Sequence, residues 1–310
     1  MGGWRVGRFR INPLVTWLGL TALAGVAFSQ TSVFKVDVRL VRVLATVKDL
    51  NGKLIANLDR QDFQVFDNGV AQQIAVFEHH SETPLSIAFL VDTSGSTAKD
   101  LKYEVTSANR FLRSLFREGN TGDRVSLYSF NWEVVEQQSY TRNLGSLERA
   151  MKNFKPEAGT SMYDAIRFGS RSLEERDGRH VMVMVTDGGD TVSSTTYPQA
   201  LADLHRADAV FYAILVMPIT NDAGRNIGGE NALTTLAEST GGKVFVPAGG
   251  PALDAAFDDI LRALRTQYLI GYYPKNAPLT KNRFHTLQVS TRQKDLRVVT
   301  RNGYYGEAIH

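Results

Sequence analysis

Carboxylates and hydroxyls gather in three short stretches of the sequence. In the first, one carboxylate and two hydroxyls, Asp92, Ser94 and Ser96, alternate directly after an apolar run. The second is Ala158–Ala165, which reads AGTSMYDA, and the third has Asp187 at the end of another apolar run. Such oxygens, with waters filling the remaining positions, suit a small hard cation such as Mg²⁺. An incomplete protein shell around the cation would leave one position for a partner's oxygen.

The apolar runs that precede the two carboxylates are typical of buried parallel strands. Leu85–Val91 and Val181–Val185 have the composition expected of strands that are covered on both faces. More strands and helices alternate along the chain: strands at Arg124–Phe130, Val134–Gln138, Ala209–Val216 and Lys243–Val246, and helices at Thr97–Phe116, Leu144–Phe154, Ser161–Leu173, Pro198–Arg206, Asn231–Ser239 and Ala252–Arg265. We therefore predict an α/β fold with a doubly wound, mostly parallel sheet flanked by helices. Both carboxylates would lie at the ligand-binding edge of that sheet.

Two β-rich segments flank the α/β domain, which we expect over residues 84–266. Residues 30–83 contain alternating apolar positions and Asn-Gly turn signals, and residues 267–310 contain an aromatic strand, Tyr268–Tyr273, and further alternation. Each segment is too short to bury a stable core alone. We expect the two segments to pair into one small β-sandwich, which brings the chain ends together.

The first 29 residues have the pattern of a secretion signal. Three arginines precede the apolar run Leu14–Phe28, and small residues favour cleavage between Ser29 and Gln30. The run is short for a membrane span, so an uncleaved anchor is the alternative. We expect an exported protein, in the periplasm, on the cell surface or secreted, that touches a membrane only if the signal is retained. Those three arginines account for the whole formal net charge of +3, which leaves no electrostatic indication of nucleic-acid binding.

Several chemistries are excluded by composition or spacing. The chain has no cysteine, and none of its six histidines has the spacing of a metal pair. Thr93-Ser94-Gly95-Ser96 lacks the first glycine of a nucleophile elbow, and no phosphate-binding Gly-rich loop ends in Lys-Ser or Lys-Thr. No histidine is placed by sequence to activate a serine. We therefore expect no catalysis. A metal-dependent hydrolase is the least favoured of the alternative functions.

Together the three stretches resemble the metal-ion-dependent adhesion site of von Willebrand factor A domains. The matching elements occur in order: Asp92-x-Ser94-x-Ser96, Gly159-Thr160 and Thr186-Asp187-Gly188. The flanking stretches resemble bacterial exported proteins related to this family: Asp62–Gly69, Tyr268–Pro274 and Asn302–Tyr305. The resemblance thus extends over nearly the whole chain that follows the signal.

This resemblance implies a role for each ligand. Ser94 and Ser96 would bind Mg²⁺ or Mn²⁺ directly, Thr160 would do so when a partner is bound, and Asp92 and Asp187 would act largely through waters. An Asp or Glu carboxylate of a protein partner would complete the octahedron, as expected of an adhesion or assembly module. Two alternatives stay open. Thr160 is also a candidate N-cap for the helix from Ser161, and the sandwich could instead be the interface of an assembly subunit in which the metal is structural.

Overall fold

The computed structural model describes residues 40–79, 83–216, 226–277 and 283–306. In these ranges the strands are β1 (Val41–Lys48), β2 (Phe63–Asp67), β3 (Val70–Gln72), β4 (Ile74–Glu78), β5 (Leu85–Asp92), β6 (Arg124–Phe130), β7 (Val134–Thr141), β8 (Arg179–Thr186), β9 (Val210–Leu215), β10 (Lys243–Phe245), β11 (Tyr268–Tyr272), β12 (Phe284–Thr291), β13 (Arg297–Val299) and β14 (Gly303–Tyr305). The helices are α1 (Leu101–Glu118), α2 (Leu144–Met151), α3 (Met162–Glu174), α4 (Tyr197–Arg206), α5 (Ile227–Thr240) and α6 (Gly250–Thr266).

A six-stranded sheet forms the centre of the α/β part. Its strand order is β10-β9-β8-β5-β6-β7, and only the edge strand β7 is antiparallel to its neighbour. Helices α1, α2 and α6 cover one face, and α3, α4 and α5 cover the other. Every residue of β5 is buried, as the continuous apolar run predicts for a strand with two covered faces. The predicted doubly wound α/β fold is confirmed.

The order of the strands brings the two carboxylate-ended strands side by side. The chain passes from β5 to β6 on one side and later returns to β8 on the other side of β5. Val91 therefore pairs with Val185, each one residue before the strands end at Asp92 and Thr186. Such a reversal of strand order opens a crevice at the carboxyl edge, which is where ligands bind in folds of this kind.

The two β-rich segments form a pair of four-stranded sheets around a shared core. One sheet has the order β13-β1-β11-β4, in which strands of the two segments alternate. The other has the order β14-β12-β2-β3, in which two strands of one segment lie beside two of the other. The sandwich interior also holds the buried carboxylate of Asp67. This carboxylate accepts hydrogen bonds from the hydroxyls of Tyr272 (2.9 Å) and Tyr304 (2.6 Å) and lies 2.7 Å from Nδ1 of His285. Residues from β2, β11, β12 and β14 thus meet at one polar centre.

Some local expectations were wrong at element ends. Helix α1 begins at Leu101 rather than Thr97, because the Thr97 hydroxyl bonds back to the carbonyl oxygens of Asp92 (3.1 Å) and Ser94 (3.0 Å). The predicted turn at Asn68-Gly69 is confirmed, and it joins β2 to β3. The expected signal, residues 1–29, lies outside the described residues. No helix within the described ranges is long and apolar enough to cross a bilayer.

Candidate functional site

The loop that follows β5 is organised by the carboxylate of Asp92. This side chain is fully buried; its Oδ1 accepts from the backbone N–H of Ser94 (2.8 Å) and its Oδ2 from the hydroxyl of Thr186 (2.6 Å). Burial raises the pKa of Asp92 to about 6, although both hydrogen bonds oppose the shift, and the nearby charge of Asp187 adds to it. The Thr186 hydroxyl therefore connects the predicted ligand Asp92 to the end of β8. The predicted ligand Asp187 directly follows that strand.

The two serine hydroxyls of this loop point at each other. Oγ of Ser94 lies 3.0 Å from Oγ of Ser96, and Ser94 is buried while Ser96 is exposed. The Thr97 hydroxyl stabilises this turn, because it donates to the backbone carbonyl oxygens of Asp92 and Ser94. Two hydroxyl oxygens so close together can contact one small cation at adjacent positions of its coordination shell.

Thr160 lies on a separate loop that is fastened to its neighbours through the backbone. Its N–H donates to the hydroxyl of Thr191 (2.9 Å), and its carbonyl accepts from the N–H of Thr191 (2.9 Å). The N–H of Ser161 donates to the carbonyl of Asn131 (2.6 Å). Ser161, not Thr160, is the N-cap residue of α3, so the capping alternative for Thr160 is wrong. The Thr160 hydroxyl has no hydrogen-bond partner among the described residues.

The third loop leaves β8 at Asp187. The backbone N–H of Gly188 donates to the hydroxyl of Thr186 (3.1 Å), so that this hydroxyl joins Asp92 to the loop of Asp187. Gly188 has a φ of +93°, a conformation that favours glycine. Helix α5 packs directly on this loop: a Cβ atom at Gly229 would lie 1.5 Å from the carbonyl oxygen of Gly188. The close approach needs glycine at position 229.

Hydrogen bonds and strand pairing thus link the loops that carry the predicted ligands. Asp92, Ser94 and Ser96 share one loop, Thr186 connects it to the loop of Asp187, and Asn131 bridges it to Thr160. That bridge runs through Nδ2 of Asn131, which donates to the Thr93 hydroxyl (3.4 Å). The Thr186 hydroxyl was not among the predicted ligands, although it stands in the Thr-Asp-Gly motif.

Glu104 is a buried carboxyl near the site that sequence reasoning missed. It lies on α1, is 2% exposed, and neither oxygen of its carboxyl group has a hydrogen-bond partner among the residues that the structure describes. Burial and then the charges of Asp92, Asp100 and Asp187 raise the pKa of Glu104 to about 8. Its position on the apolar face of an amphipathic helix is a signal that the sequence did contain.

The electrostatics of this edge fit a cation. The pKa values of Asp92 and Glu104 are both raised, and every neighbouring charge that contributes to those shifts is a carboxylate. A bound dication would offset that repulsion. Among the described residues no three Asp, Glu or His side chains cluster as a metal site, so the cation would depend on hydroxyl ligands as well.

Two further carboxylates near the loops have structural partners. Although partial burial opposes it, hydrogen bonds from Thr195 and Ser194 lower the pKa of Asp164. Asp190 accepts from the hydroxyl of Ser193 (2.5 Å). Both side chains hold the segment that follows the Asp187 loop against the start of α3.

A doubly wound sheet with hydroxyl- and carboxylate-bearing loops at its carboxyl edge defines a class of α/β binding domain. The family model for the von Willebrand factor type A domain matches residues 86–257, more than half of the chain. The chain belongs to this family. Comparison with curated proteins found no match.

Several solved structures are similar to parts of the chain. The PilB minor pilin from Streptococcus sanguinis has 13% identity and a TM-score of 0.47, with 61% of this chain and 63% of the pilin covered. The vWF domain of the type V pili tip protein Mfa5 from Porphyromonas gingivalis has 14% identity and a TM-score of 0.46, with 58% of this chain and 94% of that domain covered. The chain thus spans less than two thirds of the length of the PilB pilin.

Proposed function

We propose that this protein is an exported binding module that captures an acidic side chain of a protein partner through one Mg²⁺ or Mn²⁺ ion. The ion would be held by Asp92, Ser94, Ser96, Thr160 and Asp187. The observation that carries the proposal is the shortage of positive charge at this edge, where Asp92 and Glu104 are buried beside other carboxylates. A hard dication offsets that charge and prefers an anionic oxygen from outside.

The hydroxyl ligands also support an open coordination shell. The hydroxyls of Ser94 and Ser96 lie 3.0 Å apart, and Thr160 lies on a loop where its backbone N–H is hydrogen-bonded to the Thr191 hydroxyl. Two carboxylates balance the charge of a dication, and five ligands leave one position of an octahedral shell for an oxygen from outside. A bound cation would attract the carboxylate of a partner electrostatically. The five proposed ligands would fix the position of the cation.

Binding is favoured over catalysis by the position of the histidines. His180 is bonded to the carbonyls of Arg176 and Ala207 near the amino end of β8, the opposite edge of the sheet, and His285 lies in the sandwich. His79 follows β4 and His205 lies near the end of α4. Among the described residues, then, no histidine contacts the Ser94 loop to act as a general base.

A selection experiment with a peptide library tests this function. Phage that display twelve-residue peptides with a fixed central Asp are selected on the purified protein in Mg²⁺ and, separately, in EDTA. Retention should require Mg²⁺ and should be lost on Thr160→Ala, and a selected peptide should lose binding when its Asp is changed to Asn. Equal retention of phage in EDTA and in Mg²⁺ would reject metal-dependent binding. It would instead favour the β-sandwich as the binding surface.

A further inference from the structure

Three exposed apolar side chains stand around the candidate metal site, and we call them the apolar rim: Trp132, Val192 and Ile227. Their exposed fractions are 56%, 49% and 64%. Single exposed apolar residues are ordinary on protein surfaces, but several at the edge of one site mark an interaction surface. The contacts described below show that these three residues lie on or against the loops that carry the predicted ligands.

Trp132 lies between the loops of Ser94 and Thr160. Its indole Nε1 donates to Oε2 of Glu157 (2.6 Å), and Glu157 pairs with Ser94 as an isolated parallel bridge. On its other side Trp132 packs against Gly159: a Cβ atom at position 159 would lie 3.2 Å from Cβ of Trp132. The indole is therefore oriented by both loops and leaves more than half of its surface to solvent.

Val192 and Ile227 occupy other sides of the site. The N–H of Val192 donates to the carbonyl oxygen of Thr160 (3.3 Å). Ile227 is the first residue of α5, whose first turn contacts the loop after Asp187 through Gly229 and Gly188. The rim thus adjoins both the Thr160 loop and the Asp187 loop.

The charged side chains that adjoin these loops are mainly carboxylates. Glu157 lies beside Ser94, Asp190 follows the Asp187 loop, and Glu230 lies against Gly188. Two lysines, Lys99 and Lys155, lie close in sequence to these loops. One cation can take up one partner carboxylate, but further acidic groups of the same partner would face these carboxylates, and like charges across an interface are unfavourable.

We infer that the apolar rim selects a protein segment in which a single Asp or Glu is flanked by bulky apolar side chains, and rejects segments rich in acidic residues. The inference rests on the proposed function, because the central carboxylate is the one that the cation would bind. Trp132 is the principal specificity residue, since large, rigid aromatic groups dominate the energetics of such interfaces.

Three labelled peptides with one central Asp test the inference by fluorescence anisotropy in Mg²⁺. Their flanks are Leu and Phe, Ser and Gly, or Glu, and a Leu/Phe-flanked peptide with Asn at the centre is the control for nonspecific binding. The apolar-flanked peptide should bind about tenfold more tightly than the Ser/Gly peptide, and the Glu-flanked peptide should bind most weakly.

Variants of the apolar rim then show which side chains cause the preference for peptides with apolar flanks. Trp132→Ala should weaken binding of the apolar-flanked peptide about tenfold, and Val192→Ser should weaken it less. Both should leave the Ser/Gly peptide and the calorimetric Mg²⁺ affinity unchanged. Phe168→Ala and Leu50→Ala are matched controls, because these side chains are 53% and 65% exposed on α3 and on a sandwich turn.

The outcomes separate this inference from the proposed function. Mg²⁺-dependent binding of all Asp-centred peptides with equal affinity, or equal effects of Trp132→Ala and Phe168→Ala, would overturn the apolar rim while the proposed function stood. Binding of none of these peptides, or binding that survives EDTA, would overturn both.

Discussion

At the scale of single residues, the site combines buried carboxylates with hydroxyls that have few competing partners. Asp92 is held by the Ser94 N–H and the Thr186 hydroxyl, whereas the carboxyl oxygens of Glu104 have no hydrogen-bond partner within the described part of the chain. A buried carboxyl without a partner is costly when ionised, which is why the pKa of Glu104 is raised to about 8. This residue makes the stability of the protein depend on pH.

Replacing Glu104 by Gln should stabilise the protein at high pH. The pKa of Glu104 is about 8 in the folded chain against 4.5 in the unfolded chain, so the folded state binds more protons between these values. The free energy of unfolding of the wild type therefore falls as pH rises through this window. Glu104→Gln lacks that decline and should be roughly 2–4 kcal/mol more stable than the wild type at pH 8 in EDTA.

Urea unfolding at pH 5 and pH 8 measures the difference in the free energy of unfolding between Glu104→Gln and the wild type. This difference should be smaller at pH 5, because the wild-type carboxyl is protonated in the folded protein there. Mg²⁺ should narrow the difference at pH 8, because a cation nearby stabilises the carboxylate. A difference that does not change with pH would mean that Glu104 is ionised or partnered in the folded protein.

At the scale of elements, the carboxyl edge depends on how closely α5 approaches the Asp187 loop. Gly228→Ala and Gly229→Ala form a matched pair in the first turn of this helix. At position 228 a Cβ atom meets only Oδ1 of Asn226 at 3.5 Å, but at position 229 it would lie 1.5 Å from the carbonyl oxygen of Gly188. Alanine at 228 should be neutral or stabilise by up to about 1 kcal/mol, as in an ordinary helix.

Alanine at 229 should instead push α5 away from the loop of Asp187, lower the free energy of unfolding by more than about 1 kcal/mol, and weaken Mg²⁺ binding. Thermal unfolding and calorimetric titration of both variants measure these effects. Equal stability and equal Mg²⁺ affinity of the two variants would show that the contact between Gly229 and Gly188 does not hold the loop.

The elements themselves were largely predictable. Continuous apolar runs predicted β5 and β8, because strands covered on both faces need no polar side, and helical periodicity predicted the ends of α3 and α4 within one residue. The start of α1 was predicted too early because the Thr97 hydroxyl competes for local carbonyl oxygens. The motif indicated which loops meet, but the role of Trp132 depends on a contact with Glu157 that no local pattern encodes.

At the scale of the whole molecule, one polar centre joins the two terminal segments. The carboxylate of Asp67 accepts from Tyr272 and Tyr304 and contacts His285, so residues that are more than two hundred positions apart depend on it. Burial, before all other causes, raises the pKa of both tyrosines, which keeps their hydroxyls protonated and able to donate. Loss of the acceptor would leave these buried donors unsatisfied.

Asp67→Ala should therefore destabilise the sandwich as a unit. Each unsatisfied buried group costs about 1–3 kcal/mol, so amide hydrogen exchange should accelerate together in β2, β11, β12 and β14, while β5 and β8 stay protected. Asp49→Ala is the control, because this exposed turn carboxylate accepts from the nearby backbone N–H groups of Asn51 and Lys53. Faster exchange in β2 alone would show that the two segments do not share one polar centre.

The central claim is that a divalent cation binds at the carboxyl edge of the sheet, and isothermal titration of the metal-free protein with Mn²⁺ or Mg²⁺ tests it most directly. We expect one saturable site in the wild type. Asp92→Ala and Asp187→Ala should abolish or strongly weaken it, while Asp164→Ala, which removes a nearby carboxylate that holds the Ser194–Thr195 turn, should retain it. A wild-type protein with no saturable site, or one whose binding is unchanged by Asp92→Ala and Asp187→Ala, would contradict the claim.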